Sequence, residues 1–376
     1  MSILQYKNVH APRESWYFKN GSPAFIVIFI YFIILLIIAF LYRDLYSLAE
    51  FNLFTLLYTL LIALAVHSIS NMKGFLQLKR TGRSLYIFTS YKEAFYHYSP
   101  YLIMAVIYEN ILLWSRAVNP NQAVIDHVLM KIDMMILGVN PILTLENFIH
   151  PFAVEYFMIA YGLFFIYPFV YLFYLIQKNN AEGCQRVILA QVLSLTIALT
   201  AYIYLPAVGP RIVMDPALHH KYPEYPVYQQ SLGGVQSDAL RKLTGRPSFF
   251  LLQKDLFNYL ERINTDCLPS MHVCLCLISL FYAIKYRSMF KRPALILTLW
   301  ITGITSLIFS TVYLRYHWVI DIIAGVLLAL IAYWISELLY NQWSRHREKK
   351  GWSKPVLTWL DTLKLQENSH DEQQCR

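Results

Sequence analysis

The sequence predicts an all-α, polytopic membrane protein of about eight spans, and three observations predict it. Apolar runs near the roughly 20 residues that cross a bilayer recur at 24–42, 53–70, 98–114, 152–176, 187–206, 268–286, 293–310 and 317–340. Charged residues make up only 15% of the 376 residues, against about 25% in a soluble domain, so there is too little charge to cover a water-facing surface. Phe, Trp and Tyr account for 16%, as in a chain with aromatic belts at two membrane interfaces.

Taken in order, the first run follows a polar leader. It exceeds the roughly 7–15 residues of a signal-peptide core, and the Arg43-Asp44 that follows offers no small-residue cleavage site, so it is expected to stay as an anchor. Residues 121–150 are too mixed to span, with Asp126, Lys131, Asp133, Glu146 and His150, and are expected to form an interfacial or re-entrant helix pair. The domain reading is a three-span region over 1–120, a core over 121–345 that includes the long connection 207–266, and a basic then polar tail over 346–376.

Charge orients the spans. Lys73, Lys79, Arg80, Arg83 and Lys92 fill the second connection, Lys285, Arg287, Lys291 and Arg292 the sixth, and Arg345, Arg347, Lys349 and Lys350 follow the last span. An eight-span count puts all three on one side, which the positive-inside rule makes the cytoplasm, with both termini. The net charge of +9 does not indicate a nucleic-acid partner, because the bases sit in short loops between apolar runs. The five cysteines (184, 267, 274, 276 and 376) show no metal spacing and no Cys-x-x-Cys pair.

On the other side three polar clusters share one membrane depth. Leu205-Pro-Ala-Val-Gly-Pro-Arg211 closes span five. Asp266-Cys-Leu-Pro-Ser-Met-His272 opens span six, with Ser270 near a helix cap. Tyr313-Leu-Arg-Tyr-His-Trp-Val-Ile-Asp321 opens span eight, with His317 and Asp321 four apart, one turn in a helix. Alone, each cluster reads as a helix start, a snorkelling arginine or a buried polar pair. Together they match a phosphoryl-transfer site. A neutral imidazole, His317, can attack phosphorus if an acceptor, Asp321, fixes its tautomer. A second histidine, His272, can serve the leaving oxygen as acid and the acceptor as base. Arg211, Arg315 and the N–H groups near Ser270 can take phosphoryl charge. This chemistry calls for no metal and no cofactor.

Pro269-Ser270-x-His272 followed by Ser310-x(6)-His317-x(3)-Asp321 resembles the type 2 phosphatidic acid phosphatase superfamily, whose third motif runs Ser-Arg-x(5)-His-x(3)-Asp. Thr311 stands where that arginine is expected, Met271 where the second motif usually has glycine, and the first motif's Lys-x(6)-Arg-Pro is not met at Arg211, which has Tyr204 and Ile212. Arg211 is taken as the first-motif equivalent because it directly follows a span; Arg246-Pro247 is the alternative. Gly209-Pro210-Arg211, Tyr316-His317-Trp318, and Asp133 with Gly138, Pro141, Glu155, Tyr161 and Pro168 resemble the aureobasidin-resistance branch, which includes inositol phosphorylceramide synthases. The resemblance implies a six-helix-type core over about 125–340 and an inositolphosphotransferase-like enzyme. Its substrate would be a membrane lipid with a phosphate or phosphodiester, and its acceptor inositol or another alcohol. Water as acceptor gives a lipid phosphate phosphatase. A transporter or channel is the reading from another class, disfavoured because the polar clusters sit at span ends rather than along a midplane path.

Overall fold

The structure, a computed structural model, describes residues 21–42, 96, 99–100, 103–108, 110–119, 123–146, 148–178, 180–214 and 265–351. The expected span at 53–70, residues 215–264 of the long connection, with Arg246, and the tail from 352 lie outside them.

The described residues are helical, in the order α1 (Pro23–Leu41), α2 (Ile111–Val118), α3 (Asp126–Leu137), α4 (Pro141–Glu146), α5 (Pro151–Gly162), α6 (Ile166–Gln177), α7 (Ala181–Tyr204), α8 (Pro210–Val213), α9 (Met271–Lys285), α10 (Pro293–Tyr313) and α11 (Val319–Lys349). Helices dominate because backbone N–H and C=O groups in lipid must be paired within the segment. Starts follow local chemistry: Ser22 accepts from Ala24 N at 3.3 Å, Asn180 accepts from Gly183 N at 2.8 Å, and proline opens α1, α5 and α10.

Among the described residues four helices, α1, α7, α10 and α11, are long and apolar enough to cross a membrane, and α5 with α6 makes a fifth candidate bent by 41° across Leu163–Phe165. The expected span 268–286 is a 15-residue apolar helix, α9, about 22 Å long. The expected span 98–114 is not continuous: residues 103–108 are helical, Asn110 lies in a turn, and α2 then runs to Val118. The stretch 121–150 does break into short helices, α3 and α4.

At the centre α9 packs against α7, α10 and α11, and α7 also carries α1. In α1 the buried residues Ala24, Ile28, Tyr31, Leu35 and Ile38 form one stripe, while Phe29, Ile30, Leu36 and Phe40 point outward to lipid. The inner face of α11 is small: Gly325, Ala329, Ala332 and Ser336 are buried, and Leu327, Ile331, Trp334 and Leu338 face out. A Cβ on Gly325 would lie 2.5 Å from the Ser270 carbonyl oxygen and 3.3 Å from Val273 Cβ, so the α9–α11 approach depends on that glycine.

The far ends of the same three helices are joined by charge. Glu337 of α11 accepts from Arg186 of α7 at 2.7 Å and from Lys285 of α9, and Arg186 also reaches Asn341 at 2.8 Å and Glu182 at 2.9 Å. Its guanidinium lies 4.3 Å from the Tyr340 ring centroid. With 31 residues, about 46 Å, α11 outruns the roughly 30 Å hydrocarbon core, so its basic end around Arg347 and Lys349 emerges into the polar region.

Candidate active site

The segment after α7 is shaped by an aspartate from α3. Asp126, fully buried, accepts from Val208 N at 3.0 Å, Gly209 N at 2.8 Å and Trp318 Nε1 at 2.9 Å. Burial pushes its carboxyl above the usual carboxylate range, and these three donors pull it back. Gly209 has φ +86°, and a Cβ there would lie 2.5 Å from the Tyr316 carbonyl oxygen; only glycine meets both demands. Arg211 N then donates to the Arg315 carbonyl at 2.8 Å, and Cys267 N to Ala207 O at 3.1 Å. The chain on either side of the long connection and the turn before α11 are thus fastened into one platform.

The third cluster departs from the expected helix-face geometry. α10 continues to Tyr313, and α11 begins only at Val319, with Trp318 at the N-cap. His317 therefore precedes the helix, in a turn where Arg315 takes φ +63° and Tyr316 N and His317 N both donate to Thr311 O, at 2.8 and 3.1 Å. The physical reason is capping. Asp321 turns back to accept from Trp318 N at 2.8 Å, and Asp133 of α3 accepts from Val319 N at 2.7 Å and Ile320 N at 2.8 Å. Two carboxylates at this N-terminus satisfy its free donors and suit its dipole. Burial pushes Asp133 above the usual range, against those two donors.

The second cluster docks on the third. Ser270 is the N-cap of α9, and its N–H donates to the Asp321 carbonyl at 3.0 Å. Pro269 consequently lies before the helix rather than in its first turn. His272 Nδ1 lies 3.1 Å from His317 Nε2, and His317 Nδ1 lies 3.4 Å from Asp321 Oδ2. The latter exceeds a good N–H···O bond, and Nδ1 meets no hydrogen-bond geometry. His317 is 3% exposed and Asp321 and Ser270 are fully buried. Asp321 Oδ1 and the Ser270 hydroxyl have no hydrogen-bond partner among the described residues.

Aromatic rings pack against His272. Tyr161 of α5 stacks on His272 at 4.6 Å and on Tyr316 at 4.4 Å, and Phe164 lies 4.3 Å from His272. The Arg211 guanidinium donates to the Tyr316 hydroxyl at 2.8 Å. Of the residues expected from sequence, His272, His317, Asp321 and Ser270 thus converge directly. Arg211 joins through Tyr316 and the Tyr161 stack. Arg315 is buried in the turn that carries His317, with its carbonyl taken by Arg211. Asp126 and Cys267 were not among the residues expected at the site, and Thr311 and Tyr316 stood only in the motif comparison. Asp126 left a signal, seven residues from Asp133 and so two turns along one face of a short helix. Cys267 Sγ, His317 and Asp321 offer donor atoms within 4.8 Å of one another, the one such three-residue group among the described residues.

Two histidines, a buried carboxylate and an arginine brought together at one end of a helical membrane bundle are the parts that a phosphoryl-group enzyme needs. The comparison with protein families makes this specific. The model of the PAP2 superfamily matches residues 128–335, more than half of the chain, from α3 into α11 and across all three clusters. The chain belongs to the PAP2 superfamily, a family of phosphatases and phosphotransferases. No match was found among curated proteins or among solved structures.

Proposed function

We propose that this chain is a membrane lipid phosphotransferase, inositolphosphotransferase-like, that moves a phosphate-bearing headgroup through a phosphohistidine on His317. The observation that carries the proposal is the position of His317, with Nε2 against His272 at 3.1 Å and Nδ1 against Asp321 at 3.4 Å. One nitrogen faces the acid–base partner and the other the orienting carboxylate. With its proton on Nδ1 toward Asp321, His317 carries its lone pair on Nε2, where it accepts from His272 Nδ1 until phosphorus takes that place.

In the first step Nε2 of His317 bonds to phosphorus while the bond to the lipid leaving oxygen breaks, and protonated His272 gives that oxygen its proton. In the second, neutral His272 takes the acceptor's proton as the acceptor oxygen bonds to phosphorus and the P–N bond breaks. Asp321 stabilises the charged imidazole of the intermediate. Arg211, Arg315, the Ser270 hydroxyl and the first N–H groups of α9 take the charge of the phosphoryl oxygens. An alcohol as acceptor makes a transferase, and water makes a phosphatase. Transfer to an alcohol rests on the resemblance of Asp133, Tyr161 and the residues around them to the aureobasidin-resistance branch. The active side faces away from the cytoplasm, which is supported by the bases of 285–292 and 345–350 lying at the opposite end of α9 and α11.

The test gives purified protein a labelled lipid phosphate with and without inositol. Label is expected in a new inositol phosphate or phospholipid product; release of free phosphate alone would sink the transferase reading, and no reaction with any lipid phosphate or phosphodiester would sink both. His317→Ala is expected to abolish turnover and the acid-labile phosphoenzyme while the protein remains folded. Turnover retained in that variant would remove His317 as nucleophile.

A further inference from the structure

Beyond its catalytic pair, the site holds a second donor set. Cys267 sits in the strap before α9, 5% exposed, with its thiol donating to the Tyr316 carbonyl at 3.0 Å. Its sulfur, one His317 nitrogen and one Asp321 oxygen lie within 4.8 Å of one another. A tetrahedral Zn²⁺, with bonds of about 2.0–2.3 Å, places its donors about 3.3–3.6 Å apart. The 3.4 Å between His317 Nδ1 and Asp321 Oδ2 is long for a hydrogen bond and right for that edge. His317 Nδ1 is buried and meets no hydrogen-bond geometry. With the sulfur within 4.8 Å of the other two donors, the thiol has to close by up to about 1.2 Å to reach the 3.6 Å edge, exchanging its bond to Tyr316 O for the metal. Sulfur, imidazole and carboxylate favour Zn²⁺ or Co²⁺ over Mg²⁺, which prefers oxygen ligands.

We infer that Cys267 Sγ, His317 Nδ1 and Asp321 Oδ2 form an inhibitory site for zinc-like divalent cations inside the reaction centre. The inhibition, though not the site, rests on the reading of His317 as nucleophile. The Cys267 thiol gives its proton to solvent and the thiolate binds the metal. The metal takes the Nδ1 lone pair, so the proton on Nδ1 moves to Nε2. That proton occupies the lone pair that would attack phosphorus, and Asp321, now a ligand, no longer orients the ring. The metal thus locks His317 in the unreactive tautomer.

The experiment titrates the full chain in detergent with Co²⁺ alone and records absorption. A saturable thiolate-to-cobalt charge-transfer band, displaced by Zn²⁺ and absent in Cys267→Ala, is expected. Turnover of a lipid phosphate should be lost on adding Zn²⁺ but not Mg²⁺. Cys267→Ala should keep the metal-free rate and raise the Zn²⁺ concentration for half-inhibition by at least about tenfold, since even a residue that only supports a ligand is worth 10–100-fold in affinity. No band in the wild-type chain, an equal band in Cys267→Ala, or equal Zn²⁺ sensitivity in the two proteins overturns the inference. A band that depends on Cys267 in a protein with no turnover of lipid phosphates leaves the site standing and removes the functional reading instead.

Discussion

Gly325→Ala isolates the contact that joins the two histidines. The added methyl would lie 2.5 Å from the Ser270 carbonyl oxygen, where ordinary contact begins near 3.4 Å, so α9 and α11 must part by about 0.9 Å. The bond from Ser270 N to the Asp321 carbonyl, now 3.0 Å, then passes about 3.5 Å and is lost. Strain of about 1–3 kcal/mol and one lost hydrogen bond of about 1 kcal/mol lower the Tm by several degrees. The larger effect falls on turnover, because a displacement of 1 Å between reacting groups costs on the order of 100-fold. The assay pairs detergent melting with lipid phosphate turnover. Gly303→Ala serves as the control: its Cβ meets only the tip of Tyr167 in the apolar packing between α6 and α10, so stability drops and turnover is kept. Wild-type turnover in Gly325→Ala would refute the reasoning that this glycine sets the His272–His317 distance.

Three further variants separate positioning from packing. Asp126→Asn offers one oxygen where three N–H donors converge, and a loss of about 2–3 kcal/mol, or roughly 5–10 °C in Tm, is expected; an unchanged melt would show that Asp126 does not hold the platform. Tyr316→Phe removes the acceptor of Arg211 but keeps the ring stack, so KM should rise about fivefold, near 1 kcal/mol, with kcat kept; a fall in kcat alone would mean that Arg211 acts on the transition state only. Gln191 is fully buried in α7 with neither amide atom bonded among the described residues, and Gln191→Leu should stabilise by about 1–2 kcal/mol, an expectation that a lowered Tm in detergent would reverse.

Much of this arrangement is legible in the chain because it rests on local rules. Length and apolarity reveal the long helices, and Pro269-Ser270 marks the start of α9. What stays hidden is set by distant partners. His317 and Asp321 read as one helical turn, yet α11 starts after His317 because Asp133, 186 residues from Val319, supplies the cap. Asp126 looks like a stray charge that prevents a span, and its three donors lie 82 to 192 residues away. The cysteines show no metal spacing, and the donor atoms gathered around Cys267 come from two chain segments joined by the platform between them. Gly325 is unremarked in an apolar run until the Ser270 carbonyl is found against it. The break at Asn110 is likewise invisible to an apolar count over 98–114.

The charged cluster at the far end of the bundle bears on the chemistry at the near end. Glu337 lies 16 residues beyond Asp321 on α11, about 24 Å along its axis. There it is gripped by α7 through Arg186 and by α9 through Lys285. A shaft clamped at both ends can neither spin nor slide, so the rotational setting of Asp321 against His317 is held from the opposite leaflet. Neutralising Glu337 frees that end of the shaft, and a change made about 24 Å away then registers as lost alignment of Asp321 with His317.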